Sequence, residues 1–354
     1  MLALLLPSSS RAAAAAHLSL LSLLAAVALC VAVPARAADG AAWLAKAASA
    51  ARGAGYSGVY VYSAGGLAES ARVTRLRDAS GDAERIESLD GARREVVRRG
   101  DEIHYFFLDS KTVRVDRRVS GRSFPDFLPA DTAALAAHYA IEVGPSDRVA
   151  GRAVQVLRLR ARDDQRFTHE VWADQQTGLP LKLRLLDERG DTLEQFVFTE
   201  VHVGERIDPK QVLPSRRAGY AGWKVESAQF TAVPAASGDA AATPGKTDVR
   251  RESASAVPEP RALPAGFRRV AQVARQWPGS ERPVVQSVYS DGLTSVSVFV
   301  DPDVSRVAGR EGYSQRGAVG VVSRVIGDRA VITVGGLPLP ALRKLAESIA
   351  PGPR

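Results

Sequence analysis

The sequence predicts an α+β protein, mainly antiparallel β, built as two modules of unequal size. Three observations carry this reading. Large side chains alternate at a two-residue period in Val59-Tyr60-Val61-Tyr62 and again from Leu181 to Leu186, the pattern of half-buried strands. Strand-like runs are joined by turns as short as Gln176-Thr177-Gly178, Glu188-Arg189-Gly190-Asp191 and Ser290-Asp291-Gly292, which force antiparallel neighbours. Between the two patterned regions, Thr231 to Pro260 is almost entirely Ala, Ser, Gly, Pro, Thr and charged residues. Such a stretch buries too little apolar surface to offset its ordering entropy.

The elements follow in order. Residues 1–37 hold only two charges, Arg11 and Arg36, around the apolar run Leu18 to Val33, and Ala35-Arg36-Ala37 supplies an A-x-A cleavage site. This is the plan of a secretory signal removed near Ala37. Ser19, Ser22 and Pro34 interrupt the run, short of the roughly 20 unbroken apolar residues of a membrane span. Cys30, the single cysteine, sits in this segment behind Leu29, where a lipidated cysteine would follow a small residue. The exported chain is therefore expected to lack cysteine, which excludes disulfides, thiol catalysis and Cys-ligated zinc.

Ala42 to Arg52 reads as a helix with Trp43, Leu44 and Ala47 on one side. After Gly53 to Gly55 the period changes to that of strands at Val59 to Tyr62. Glu95 to Phe107 reads as a hairpin turning at Arg99-Gly100-Asp101, continued by Val113 and Val115. Asp131 is placed to cap a short helix through Thr132 to Tyr139. Runs at Val154 to Val156, Phe167 to Trp172, Leu181 to Leu186 and Phe196 to Val203 form a meander. Its one apolar face must curl around something or be covered by helices. Pattern resumes at Leu263-Pro264-Ala265-Gly266-Phe267 with two hairpins, Val284–Tyr289 with Leu293–Val300 and Val319–Ile326 with Ala330–Val334. Pro340 then opens a helix carrying Leu342, Leu345, Ala346 and Ile349 at helical spacing. The expected organisation is a signal over 1–37, a first module over 38–203, a linker over 204–219 and a second module over 220–354 with a flexible insert over 231–262.

Chemistry-bearing constellations are sparse. His169-Glu170 begins like H-E-x-x-H, but position 173 is Ala and no second histidine follows. No G-x-S-x-G elbow and no P-loop is present, and Ser314 has no histidine in its module. Acidic pairs such as Asp163-Asp164 and Asp187-Glu188 read as turn chemistry. No catalytic residue, metal ligand or cofactor is expected. Removing the signal takes two of the 47 basic residues and none of the 39 acidic ones, leaving a net charge of +6. In an exported protein that charge favours an anionic lipid or acidic peptide over nucleic acid.

The first module is rich in large apolar side chains. Most belong in a core, while Tyr60, Tyr62, Phe106, Trp172 and Phe196 are the candidates for an open pocket suited to an acyl chain. Arg93 and Arg94 are the candidates to meet an anionic head group or acidic peptide. The remaining arginines of these strands, Arg72, Arg75, Arg77, Arg98 and Arg99, read as an ordinary charged outer face, with an anion-binding surface as the alternative.

Several runs together resemble the MucB/RseB family, periplasmic regulators of the sigma-E (AlgU-type) envelope stress response. They are Asp90-Gly91-Ala92-Arg93-Arg94-Glu95-Val96-Val97-Arg98-Arg99-Gly100, Val171-Trp172-Ala173-Asp174 with Thr177-Gly178-Leu179-Pro180, and Gly190 to Phe196. In the second module they are Leu263 to Phe267, Val288-Tyr289-Ser290-Asp291-Gly292-Leu293, and Gly335-Gly336-Leu337-Pro338 leading to Ala346-Glu347-Ser348-Ile349. The resemblance implies an N-terminal half-open β-barrel with packed helices, similar to the carriers LolA and LolB, and a smaller C-terminal antiparallel sheet with a closing helix. It also implies a periplasmic protein that binds the periplasmic part of a MucA- or RseA-like anti-sigma factor and shields it from site-one proteolysis. Lipid or lipopolysaccharide would release it, no enzyme activity is implied, and a homodimer stays open. In the family, a strand like Gly222-Trp223-Lys224-Val225 runs close to the Leu-Pro-x-Gly-Phe segment; here the low-complexity stretch separates them. The rival readings are a LolA/LolB-type lipid or lipoprotein carrier and a hydrolase.

Overall fold

Leu44, Ala47, Ala48 and Ala51 are fully buried at i, i+3, i+4 and i+7 of a helix spanning 39–53, here α1, so a single apolar stripe fixes how it docks. The computed structural model describes residues 39–78, 81–117, 124–214, 222–227, 230–232, 257–275 and 282–350. The expected export signal with Cys30, the end of the linker and most of the low-complexity stretch lie outside them.

Eleven strands follow α1: β1 Tyr56–Ala64, β2 Leu67–Asp78, β3 Gly81–Ser88, β4 Arg94–Arg99, β5 Glu102–Phe107, β6 Thr112–Arg117, β7 Tyr139–Val149, β8 Arg152–Ala161, β9 Thr168–Asp174, β10 Pro180–Leu186 and β11 Thr192–Val203. With β12, Lys224–Ser227, they form one sheet in the order β12-β6-β5-β4-β3-β2-β1-β11-β10-β9-β8-β7. Two meanders are thus joined where β1 pairs with β11, and the sheet is not closed. The short turns foreseen in the sequence make its neighbours antiparallel; β12 alone pairs in parallel, on the β6 edge. Residue 220 therefore does not separate the modules as expected, because the Lys224–Ser227 backbone finds its ladder on the first sheet.

The second sheet runs β13-β14-β15-β16-β19-β18-β17, from β13 Phe230–Ala232, β14 Arg268–Arg275, β15 Val284–Ser290, β16 Ser295–Asp301, β17 Gly312–Arg316, β18 Val319–Ile326 and β19 Arg329–Gly335. Helix α2, Leu339–Glu347, buries Ala341, Leu342, Leu345 and Ala346 against it. β13 takes in Thr231 and Ala232, and Pro260 bridges Ile349, so both ends of the expected insert are ordered on this sheet. Between Asp131 and Tyr139 the helix is a single 3-10 turn, Ala133–Ala137. Thr132 occupies its cap position, and Asp131 accepts a bond from the Ala133 N–H (3.1 Å).

The first core lies where α1 and the segment around Phe124, Phe127 and Leu128 pack on the inner face of the curved sheet. The register carries that face across the strands as ladders. One runs Leu157–Val171–Leu183–Phe196–Tyr62–Glu69 from β8 to β2. The next runs Phe198–Tyr60–Ala71–Ser88. Arg75 shares this inner face and is 1% exposed, contrary to its reading as an outer-face charge. Its guanidinium lies at the end of α1, donating to the carbonyls of Ala51 (2.5 Å) and Arg52 (3.4 Å), where the helix dipole favours a cation. Asp82 binds the same guanidinium with both oxygens at 3.0 Å. Arg98 is also buried, against Asp82 (3.2 Å) and Glu84 (3.4 Å).

The two sheets meet at a polar joint. Arg166 and Asp291, both fully buried, form a 3.0 Å ion pair between the β8–β9 connection and the β15–β16 turn. Tyr139 donates to the same Asp291 oxygen (3.3 Å), and Arg166 donates to the Ala265 carbonyl (2.7 Å). Gly266, at φ +81°, lies so close to the His138 ring that a Cβ would stand 2.0 Å from it. The Leu263–Phe267 and Tyr289–Leu293 runs that mark the family resemblance are thus the runs that dock the second module on the first.

Candidate ligand groove

The aromatic strand residues of the first module line an open groove of about 430 Å³ on the inner face. Tyr60 and Tyr62 of β1 point into it because residues two apart share a face. Phe196 comes alongside from β11, paired with Tyr62, their rings 4.6 Å apart. Phe124 stacks on Phe196 at 5.2 Å and 14°, backing that wall from the core. Across the groove, Ile86 of β3, Val96 of β4 and Tyr105 and Phe107 of β5 form the opposite wall.

The rim is polar. Arg94 pairs with Glu69 at 2.9 Å, and Glu194 lies beside Tyr62. Burial raises the Glu194 carboxyl above its ordinary pKa, against the Tyr62 hydrogen bond. Desolvation, followed by nearby carboxylates, pushes the Tyr60 and Tyr62 hydroxyls up to about 12. Both stay neutral donors throughout the physiological range. An apolar trough with neutral hydroxyls inside and one arginine–glutamate pair at the mouth suits an amphiphile. Such a site holds by apolar contact and orients by its rim.

Of the seven residues singled out in the sequence, the structure brings Tyr60, Tyr62, Phe196 and Arg94 together here. Phe106 borders the groove but its ring faces away from it. It pairs with Glu95 and Val113, out of phase with Tyr105 and Phe107, and its ring packs on the other face with Val97, Val113 and Trp223. Trp172 is likewise on the outer face. It pairs with Lys182 and Val156, its Nε1 donates to Asp147 (2.8 Å), and Lys182 lies 4.3 Å over its ring. Arg93 stands exposed and paired with Asp109 (2.8 Å), away from the groove lining. The sequence reading missed Tyr105 and Phe107. Among the described residues no group of three or more His, Cys, Asp or Glu side chains could hold a metal.

His169, read as a chance match to a metalloprotease motif, is buried in the joint, 5.9 Å from Tyr139. Its Nδ1 lies 3.1 Å from the Phe167 carbonyl, and burial lowers its pKa to about 4.

Comparison with known proteins agrees with this architecture. The model of the MucB/RseB N-terminal domain matches residues 39–216 and that of the MucB/RseB C-terminal domain matches residues 256–350. The sigma factor AlgU regulatory protein MucB of Pseudomonas aeruginosa is 32% identical over 332 residues, 91% of this chain and 94% of that protein. The sigma-E factor regulatory protein RseB of Escherichia coli is 32% identical over 289 residues, 79% of this chain and 81% of its own. The solved complex of P. aeruginosa MucA and MucB superposes with a TM-score of 0.65 at 27% identity, covering 89% of this chain and all of that one. A crystal structure of MucB with MucA(peri) gives 0.62 at 29% identity, covering 90% of this chain and all of that one.

Proposed function

Because the chain belongs to the MucB/RseB family, we propose that it is a periplasmic regulator of sigma-E-type activity that holds the periplasmic part of a MucA/RseA-like anti-sigma factor. It shields that partner from site-one proteolysis, and a lipid or lipopolysaccharide entering the aromatic groove releases it. The support is twofold. The relatives are regulatory proteins similar to this chain over most of its length, and the solved relatives include MucB held with MucA(peri). The groove supplies the observation that carries the ligand arm: aromatic walls from β1, β5 and β11 converge on a space that the protein's own core leaves open. A ligand shifts such an equilibrium only by binding one state more tightly than the other, and a tenfold release needs about 1.4 kcal/mol of that difference.

The test is capture of the periplasmic segment of an anti-sigma factor by the full mature chain, with and without lipopolysaccharide, with light scattering on the same samples to read any homodimer. Binding that lipopolysaccharide weakens is the expected result. No binding in either condition overturns the proposal. The carrier reading predicts amphiphile binding without any capture of the segment.

A further inference from the structure

Sheet edges are where a β protein can accept another chain, and the two sheets end in four edge strands, β12, β7, β13 and β17. β7 carries Pro145 and a register shift between Val143 and Ser146, devices that block edge pairing. β12 and β13 are four and three residues long. β17 is different. It spans five residues, pairs with β18 on one side only, contains no proline, and every one of its residues is exposed.

The surroundings of β17 are apolar where solvent would favour polar groups. Leu67, Tyr313 and Val319, exposed at 49%, 57% and 44%, are three of the six large apolar or aromatic side chains exposed among the described residues; Tyr313 belongs to β17 and faces α2, while Leu67 and Val319 lie together on the strand's other face. Leu67 and Val319, with Val321, line a second groove of about 340 Å³ between β17 and the tip of the β1–β2 hairpin. Clustered exposure of this kind marks an interaction surface. Tyr62 and Glu69 line this groove and the aromatic groove alike, so the two spaces share a wall.

Charge selects the occupant. Arg310 and Arg316 stand at the two ends of β17 and form no ion pair among the described residues. Arg343 lies 4.4 Å over the Tyr313 ring and pairs with Glu347, and Lys344 is exposed beside it. Against these stand Glu311, the already paired Glu347, and Glu69 of the groove wall, which is itself paired with Arg94, so a positive surplus remains. We propose that β17 is the docking edge for the anti-sigma partner. An extended acidic segment adds as an eighth strand to the second sheet, with an apolar side chain in the Leu67–Val319 groove and a carboxylate on Arg316. Strand addition supplies affinity through the main chain and specificity through alternate side chains. This rests on the functional reading above and deepens it. An amphiphile that displaces Tyr62 or Glu69 alters the wall of the peptide's own groove, which gives release a physical route.

The probe is fluorescein-labelled periplasmic MucA of P. aeruginosa, titrated into the full mature chain and into R316E and V319D. Both substitutions fall on exposed side chains, and unchanged melting temperatures verify the fold. Each variant is expected to weaken binding at least tenfold, and amide exchange at residues 312–316 is expected to slow when the probe is bound. Binding within twofold of wild type in both variants, or no added protection at 312–316, overturns the proposal while leaving the functional reading intact. A loss of self-association in the variants without loss of probe binding also overturns it, in favour of a second copy of this chain. Failure of the wild-type chain to bind the probe overturns the functional reading and this inference with it.

Discussion

Replacing Asp291 by asparagine takes one charge out of a fully buried pair while keeping the shape of the side chain. Its Oδ1 still accepts from the Leu293 and Thr294 N–H groups (3.0 and 2.8 Å), so the β15–β16 turn keeps its local bonds and the change isolates the joint. What remains is the Arg166 guanidinium, with no exposed side-chain surface. Removing one partner of a buried pair costs about 3–5 kcal/mol, because the other charge stays desolvated. Arg166 retains Asp163 at 3.1 Å and the Ala265 carbonyl at 2.7 Å, which places the expected loss near the lower end, about 3 kcal/mol. At roughly 2–4 °C per kcal/mol for a chain region of this size, the calorimetric transition that includes the joint falls by about 6–12 °C. R166M combined with D291N removes both charges and is expected to recover part of the loss, a coupling that a double-mutant cycle reads directly. A melting temperature within about 2 °C of wild type for D291N alone would refute the reasoning, since no buried charge is then being held by its partner.

Two further outcomes follow from the same geometry. His169 has its folded pKa lowered by burial to about 4, below the unfolded value near 6.5. Between these values the unfolded chain binds the extra proton, so stability falls as pH drops from about 6.5 to 4. The loss totals about 3 kcal/mol and levels off below pH 4; urea titrations across that range check it, and H169Q should flatten the slope. On the groove, Y105A is expected to weaken binding of a fluorescent acyl probe at least tenfold and W172F to leave it unchanged, because Tyr105 lines the groove whereas Trp172 packs on the outer face; equal losses in both would show that the assignment of faces is wrong.

The strands and turns were legible because their signals are local. The alternation at Leu181–Leu186 and the turn at Ser290-Asp291-Gly292 each need only a few neighbouring residues to be read. Asp291 shows where that stops. One of its oxygens performs the turn chemistry the sequence suggests, while the other reaches Arg166, 125 residues away, and no local period reports a partner at that distance. Arg75 was hidden for the same reason: it looks like a surface charge until the register sets it between Tyr56 and Glu84, under the end of α1. In the groove, Tyr105-Phe106-Phe107 is apolar at three successive positions, so alternation cannot say which ring faces in. Trp172 lies in a strand buried on both faces from His169 to Asp174, where the two-residue period disappears.

The second sheet also touches the first beside the groove. Gly317, in the β17–β18 turn at φ +57°, approaches the Leu193 carbonyl and Ala64 so closely that a Cβ would lie 2.9 and 3.0 Å from them. Gly65 approaches Arg316 in the same way. Close-packed contacts of this kind transmit displacement, because they have no free volume to absorb it. With the Arg166–Asp291 pair anchoring the second sheet elsewhere, a ligand pushing on Tyr62 would be expected to meet a β17 wall held against retreat as a rigid body. The displacement would then be taken up locally, at Glu69, Leu67 and the β17 residues that line the same space. If the proposed release runs through this wall, loosening the buried pair with D291N is expected to reduce the ability of an amphiphile to release a bound peptide, even where both ligands still bind; unchanged release by D291N would sink that link.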